Sequence, residues 1–388
     1  MRLASRMSKL GTETAFEVLA AARALEAQGR DVIHLEIGEP DFDTPANITE
    51  AAIRALRAGQ THYTPAAGIP ELRKAVAAEV SATRGISVEP EQVVVVPGGK
   101  PIMFFVITAL IEDGDEVIYP NPGFPIYESM IRFVGGTPVP LPLRQENEFR
   151  LDTDELASLV TDRTRLIILN SPANPTGGVL TRADLQAVAD LVRDRDIMVL
   201  SDEIYGRIIY EAEFASISSL PGMAERTVIL DGFSKTYAMT GWRLGYGVMP
   251  VELAEHVTRL MINSNSCTNA ATQWAGVEAL TGPQDSVNAM VAAFRERRDV
   301  IVEGLNSIPG FRCVKPLGAF YAFPDISETG MSGKEMEQYL LHEAGVATLA
   351  GTSFGAYGEG HIRLSYANSI PNIQKALERI EAAVKARS

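Results

Sequence analysis

The sequence predicts an α/β fold, a largely parallel central sheet with helices on its faces. Five apolar runs, at 92–96, 116–119, 165–169, 197–201 and 227–230, read as buried strands, and helical patterns separate most of them. Each run also breaks into a turn rich in Gly, Pro, Asn, Ser or Asp. Parallel neighbours need right-handed crossover connections, and ligands of such sheets bind beyond the carboxyl ends of the strands. Gly99, Phe124, Asn174, Asp202 and Lys235 all fall at or just after those ends.

Taken in order, residues 14–28 form an amphipathic helix through Phe16, Val18, Leu19, Ala22 and Leu25. A strand over 31–37 runs into the turn Gly38-Glu39-Pro40-Asp41-Phe42, and a helix over 45–58 leads to a polar loop with Tyr63 and Gly68. After 92–96, Pro97-Gly98-Gly99-Lys100 is a turn and Pro101 opens a helix. Glycines ahead of a helix N-terminus expose backbone N–H groups suited to a phosphate. The spacing is neither a Walker A loop nor a GxGxxG fingerprint, so the phosphate need not belong to a nucleotide. A helix over 182–193 separates two of the strands.

Residues 264–272 are small and polar, and helical patterns follow through Leu305, with Arg295, Arg297 and Arg298 expected on a solvated face. Residues 316–323 read as a strand and 333–343 as a helix. Over 360–367 the pattern alternates, placing Ile362, Leu364 and Tyr366 on one face and Arg363 on the other. An amphipathic helix over 371–384 closes the chain, and no internal repeat or low-complexity tract interrupts it.

At 388 residues the chain can bury a large core, and 46% hydrophobic with 22% charged residues suits a globular enzyme. The net charge of −14 argues against a nucleic-acid or anionic-membrane surface, so anionic ligands must be held by local positive groups. Two cysteines, Cys267 and Cys313, make no disulfide framework, and no Cys/His spacing suggests a metal. With no signal-peptide core and no membrane-length apolar run, a reducing cytoplasm is the expectation.

Of the 35 cationic residues only eight are lysines, and of these only Lys100 and Lys235 sit in glycine-rich turns between strand and helix patterns. Lys235 follows the strand at 227–230 and lies among small and aromatic residues. A poorly solvated lysine has a lowered pKa, and its amine becomes a nucleophile toward a carbonyl. Arg243, eight residues on, offers a planar fork for a phosphate or carboxylate.

The string Ser234-Lys235-Thr236-Tyr237-Ala238-Met239-Thr240-Gly241-Trp242-Arg243-Leu244-Gly245-Tyr246 resembles the cofactor-lysine segment of the class I aminotransferases, within the fold-type I pyridoxal-phosphate enzymes. The resemblance runs over nearly the whole chain. It implies a large cofactor domain over 44–285, and a smaller α+β domain made from 1–43 and 286–388. It also implies that Lys235 holds pyridoxal 5'-phosphate as a Schiff base while Arg243, with Gly99 and Lys100 at the helix start, binds the phosphate. Asp202 would keep the pyridine nitrogen protonated, Asn174 and Tyr205 would bond the phenolic oxygen, and Phe124 would stack on the ring. Lys235, Asp202 and Tyr205 form the catalytic set, with Lys235 moving the substrate's α-proton. Arg363 would bind the α-carboxylate, Gly38 and Asn174 would face it, and Tyr63 would reach the phosphate of a partner subunit in a homodimer. Many relatives carry a serine three residues before the lysine. Here that position is Gly232, which leaves the phosphate role of Ser234 open.

Lys100 stands where the bacterial aspartate aminotransferase subgroup has a lysine that meets the substrate's distal carboxylate, and Thr12 and Thr14 fall near that subgroup's helping hydroxyls. The expected reaction is ping-pong transamination between an acidic L-amino acid and a 2-oxo acid. Specificity for alanine or for aromatic or aliphatic amino acids stays open. So do other uses of the same cofactor: a C–S β-lyase, a cyclopropane-forming synthase or an oxidase. A cofactor-binding regulator on this fold would need an added DNA-binding domain, and no basic helical domain is expected ahead of the first helix.

Overall fold

The computed structural model describes residues 1–387. After the two-residue β1 (Ile33–His34) come β2 (Val93–Val96), β3 (Glu116–Asn121), β4 (Thr137–Pro142), β5 (Thr164–Asn170), β6 (Met198–Asp202), β7 (Thr227–Gly232) and β8 (Gly245–Val248). These seven form one sheet in the order β2-β8-β7-β6-β5-β3-β4. Only β8 runs against its neighbours, pairing antiparallel with both β2 and β7. All five predicted strands are present. The two that sequence patterning passes over break strand rules: β4 carries Pro138, Pro140 and Pro142 and survives as an edge strand, and β8 carries two glycines among four residues.

The sheet is buried on both faces. Val94, Val96, Leu200, Val228 and Leu230 pack on one side with the helix Lys100–Leu110. Val93, Val95, Ile229 and Phe233 pack on the other in a cluster that continues into the C-terminal segment. Strand alternation therefore sends Asp202 to one face and its neighbours Ser201 and Glu203 to the opposite one.

The N- and C-terminal parts of the chain meet. β1 pairs in parallel with β10 (Val346–Ala347), while β9 (Tyr321–Ala322), β11 (Leu349–Ala350) and β12 (Ile362–Ser365) form a three-stranded antiparallel sheet with β12 in the middle. The strand expected over 316–323 shrinks to two residues, and the helix expected over 333–343 is α-helical to Tyr339 and then a π-turn, Leu340–Ala344.

One expectation is overturned. In the helix Asp285–Ser307, Arg297 and Arg298 are buried rather than on a solvated face. Arg298 lies 4.6 Å over the Tyr210 ring and forks onto Glu211, at 2.8 Å to Oε1. Arg297 lies 4.7 Å over Phe42 and bonds Asp41 at 2.6 Å. Paired and stacked guanidiniums can be buried because their donors stay satisfied and their planes tolerate aromatic faces. Among the described residues no helix is long and apolar enough to cross a membrane, and no His/Cys/Asp/Glu group is arranged to hold a metal ion.

Candidate active site

Asn170 and Asp202 stand level at the ends of β5 and β6, and Asp202 is level with Leu230 of β7. The rim they form opens into a cleft of about 540 Å³ that also receives Gly99, Phe124, Asn174, Tyr205, Lys235, Arg243, Arg363, Gly38 and Lys100. Of the predicted site residues only Tyr63 lies elsewhere, 89% exposed on its loop.

Close backbone packing sets the floor. Gly232 of β7 pairs with Gly245 of β8, and a Cβ on Gly232 would stand 2.9 Å from the Gly245 Cα. A Cβ on Gly245 would stand 2.6 Å from the Gly99 nitrogen. These glycines let the Gly98-Gly99 turn lie down on β8, which aims the N-terminus of the helix Lys100–Leu110 into the cleft. Gly98 has φ +88°, and a Cβ there would meet Arg243 Nη2 at 2.1 Å, so a bare backbone admits the guanidinium. Arg243 itself adopts φ +55°, as Ala238 adopts +50°, in the turn beyond Lys235. Non-glycine residues in that region are uncommon and concentrate where a site constrains the chain. The Arg243 Nη1 donates to the Thr240 carbonyl at 2.7 Å, and the residue lines the cleft.

Asp202 is buried. It accepts from Tyr127 Oη at 2.6 Å and from the Ile204 N–H at 3.2 Å, both neutral partners. Burial pushes its carboxyl up to about 6, opposed by those two hydrogen bonds and reinforced by the charges of Asp231 and Glu203. The Lys235 amine donates to the Gly38 carbonyl and lies 5.9 Å and 5.8 Å over the Tyr205 and Phe320 rings. Burial, then the charge of Arg363, lowers it to about 8, so a fraction of the amine is unprotonated near neutrality. Tyr205 is buried with its hydroxyl 2.6 Å from that of Tyr321.

Arg363 is buried on β12. Its Nη1 donates to Asn174 Oδ1 at 3.0 Å, its Nη2 donates to the Glu36 carbonyl, and its plane lies between Tyr321 and Phe354, 4.5 and 4.8 Å from their centroids. Among the described residues the Nε has no hydrogen-bond partner. A buried guanidinium with an unused donor is costly unless a ligand completes it, and a carboxylate has the matching geometry. Gly38 is held open by Tyr321: a Cβ would sit 2.2 Å from its hydroxyl.

Two residues depart from expectation. Lys100 opens its helix, but its amine forms an ion pair with Glu13 rather than reaching the glycine turn, and its side chain is 48% exposed. Thr14 lines the cleft and Thr12 does not. Sequence reasoning missed Asn170, which donates to the Asp202 carbonyl at 3.1 Å and accepts from the Asn174 N–H at 2.9 Å, and Tyr127, which sits under Asp202. Both lie in or beside turns already flagged, and their roles emerge only from strand register and helix packing.

The cleft suits pyridoxal phosphate in its chemistry. It has a helix N-terminus and a guanidinium for a dianion, a buried carboxylate without a cation for a protonated ring nitrogen, and a buried amine of lowered pKa for an aldehyde.

The family model for aminotransferase class I and II matches residues 30–380. An aspartate aminotransferase of Pyrococcus abyssi is 42% identical, with 92% of each chain covered. A probable aspartate/prephenate aminotransferase of Aquifex aeolicus is 43% identical over 99% of this chain and 98% of its own. The structure of Thermus thermophilus aspartate aminotransferase with maleate superposes with a TM-score of 0.94 at 40% identity, covering 99% of this chain and 100% of that one. From the match across both termini and the cleft chemistry together, the chain belongs to the class I and II aminotransferases, enzymes that transfer amino groups with pyridoxal 5'-phosphate.

Proposed function

We propose that this aminotransferase works on an acidic L-amino acid of the aspartate type and a 2-oxo acid, alternating them at one site. The observation that carries this reading is the placement of two cations in one cleft. Arg363 is buried with a free donor at the inner end, and Lys100 is half-exposed at the mouth and already holding a carboxylate, that of Glu13. An α-carboxylate and a distal carboxylate would take these two positions. The Aquifex and Pyrococcus relatives are named for aspartate, and the Thermus relative was solved with maleate, a dicarboxylate.

When bound, the cofactor supplies a conjugated electron sink that makes the α-proton acidic. Asp202 would hold a proton on the ring nitrogen, with Tyr127 and the Ile204 N–H orienting its carboxylate. Arg243 and the Gly99 end of the helix would hold the phosphate, Phe124 would cover the ring, and Asn174 and Tyr205 would serve the phenolic oxygen. Arg363, steadied by Asn174 and the Glu36 carbonyl, fixes the substrate's α-carboxylate beside the Gly38 backbone. Once free, the Lys235 Nζ takes the proton from the amino acid's α-carbon. In the return half-reaction it delivers one to the α-carbon of the 2-oxo acid. The aromatic walls Tyr205, Phe320 and Tyr321 limit water around this amine.

Lys100→Ala tests the substrate assignment. Turnover of aspartate and glutamate should fall at least tenfold more than turnover of alanine, the worth of one charge-assisted hydrogen bond at a half-exposed site. Equal losses would remove the distal-carboxylate role.

The wider reading is a cytoplasmic homodimer in which Tyr63, so exposed in one chain, completes the partner's phosphate site. Its supports are that exposure and two free cysteines. Residues 44–285 would act as the cofactor domain, and 1–43 with 286–388 as the smaller domain carrying Arg363.

A further inference from the structure

Behind Asp202, on the other face of the sheet, lies a charge cluster that the proposed mechanism does not use. Arg84 ends the helix Pro70–Arg84, and its side chain is only 3% exposed. Its Nε donates to Glu203 Oε2 at 3.0 Å and its Nη2 to Asp231 Oδ2 at 2.7 Å. Glu203 directly follows Asp202 at the end of β6. Asp231 lies in β7, four residues before Lys235. One guanidinium therefore ties together the two strand ends that carry the buried carboxylate and the amine.

The remaining valences of the cluster are met. Ser201 Oγ donates to Glu203 Oε1 at 2.9 Å, and Ser216 Oγ donates to the same oxygen at 2.5 Å. Asp231 accepts from the Gly232 N–H at 2.7 Å and from Tyr246 Oη at 3.2 Å. The Arg84 Nη1 donates to Thr83 Oγ1 at 2.6 Å, and the guanidinium lies 5.2 Å over the Phe214 ring. A buried charge network this complete is costly to assemble and is weak evidence for stability alone, so its placement asks for another reason.

We propose that Arg84 is a positioning residue for Asp202: it cancels negative charge held on the far face of the sheet and locks the β6 and β7 ends, so that Asp202 stays ionised at neutral pH. Three carboxyls, Asp202, Glu203 and Asp231, crowd these strand ends. Among the described residues, Tyr127 from its helix, Tyr205 and the Ile204 N–H face Asp202, none of them a cation. On the opposite face, among the described residues, Arg84 is the cation paired with Glu203 and Asp231, with Tyr246 adding a neutral donor. Like charges so close, in an interior that screens poorly, favour protonation of one member. Burial first, reinforced by the charge of Glu203, raises the carboxyls of Asp202 and Asp231 to about 6, Asp231 in spite of Arg84. The inference rests on Asp202 being the group beneath the ring nitrogen, but the coupling is measured without the cofactor.

The test is a carboxyl 13C titration of the apoprotein, with the Asp202 signal identified by its loss in Asp202→Asn. Arg84→Met should raise the Asp202 midpoint by about one pH unit or more, and Arg84→Lys by clearly less. Glu203→Gln, which keeps the shape and a hydrogen bond to the guanidinium, should lower it. Combining Arg84→Met with Glu203→Gln and Asp231→Asn should return it to the wild-type value or below. A purely structural role would leave the triple variant as perturbed as Arg84→Met. A midpoint unmoved by Glu203→Gln, or no recovery in the triple variant, would overturn the proposal. If Arg84→Met does not fold, the direction of the Glu203→Gln shift decides alone. In the loaded enzyme the acid limb of the kcat profile should move with the same midpoints. If the apoprotein midpoints shift as expected and this limb does not, the fault lies with the role of Asp202.

Discussion

The Tyr127 hydroxyl donates to Asp202 Oδ2 at 2.6 Å from a helix on the far side of the cleft floor. That bond lowers a carboxyl which burial pushes up, so it is a lever on the ionisation of the residue that the mechanism needs charged. Tyr127→Phe should raise the Asp202 midpoint above about 6, move the acid limb of kcat toward neutrality, and weaken cofactor binding roughly tenfold, the worth of a hydrogen bond to a charged group. The pH profile of kcat and a cofactor titration check it. An unmoved acid limb would show the bond to be spectator packing.

Asp202 also sets a stability cost. Its carboxyl titrates at about 6 in the fold against an ordinary 3.8, so folding favours the protonated form. Below pH 3.8 both states are protonated and nothing is lost. The cost grows between those values and is full above pH 6, at roughly 3 kcal/mol for about two pH units. Asp202→Asn should therefore stabilise the cofactor-free protein at pH 8, by up to about that amount, with the gain vanishing near pH 4. The same variant should lose nearly all transamination. Chemical denaturation of both proteins at the two pH values decides it.

Arg363 should govern both substrates at once. Arg363→Ala removes the donor proposed for the α-carboxylate, and KM for amino acid and 2-oxo acid should each rise about a hundredfold, or some 2–3 kcal/mol. Arg363→Lys should recover little of this, since an ammonium cannot keep Asn174 and the Glu36 carbonyl while also forking onto a carboxylate. Steady-state kinetics with each substrate varied give the answer. An effect confined to one substrate would place the α-carboxylate elsewhere.

Tyr63→Phe should weaken cofactor binding about tenfold, through loss of the hydrogen bond proposed to reach the partner's phosphate, while leaving Arg363-dependent KM values nearly unchanged. An unchanged cofactor Kd would make Tyr63 an ordinary surface residue.

The sheet was readable wherever a strand consists of β-branched apolar residues bounded by turns, as at Val93–Val96 and Thr227–Gly232. It was unreadable at Thr137–Pro142 and Gly245–Val248, where proline and glycine hide strands that tertiary pairing stabilises. Gly232 looked like a missing hydroxyl. In three dimensions it is the close approach to Gly245 that brings the Gly98-Gly99 turn onto the sheet. Gly99, Phe124, Asn174, Asp202 and Lys235 were legible because each follows a strand end, whereas Gly38, Tyr205, Arg243 and Arg363 come from the family resemblance. Tyr127, Asn170 and Arg84 were not, because their meaning lies in which strand or helix faces which. Arg297 and Arg298 misled for the converse reason: charge suggested solvent, while aromatic stacking and paired carboxylates keep them inside.

On the proposed function, the amine at residue 235 carries the cofactor. Borohydride treatment of the purified protein, followed by peptide mass measurement, should find the reduced pyridoxyl phosphate mass on the peptide containing Lys235, at close to one per chain. Protein that holds the cofactor yet shows that peptide unmodified, or the adduct on Lys100 instead, would contradict it.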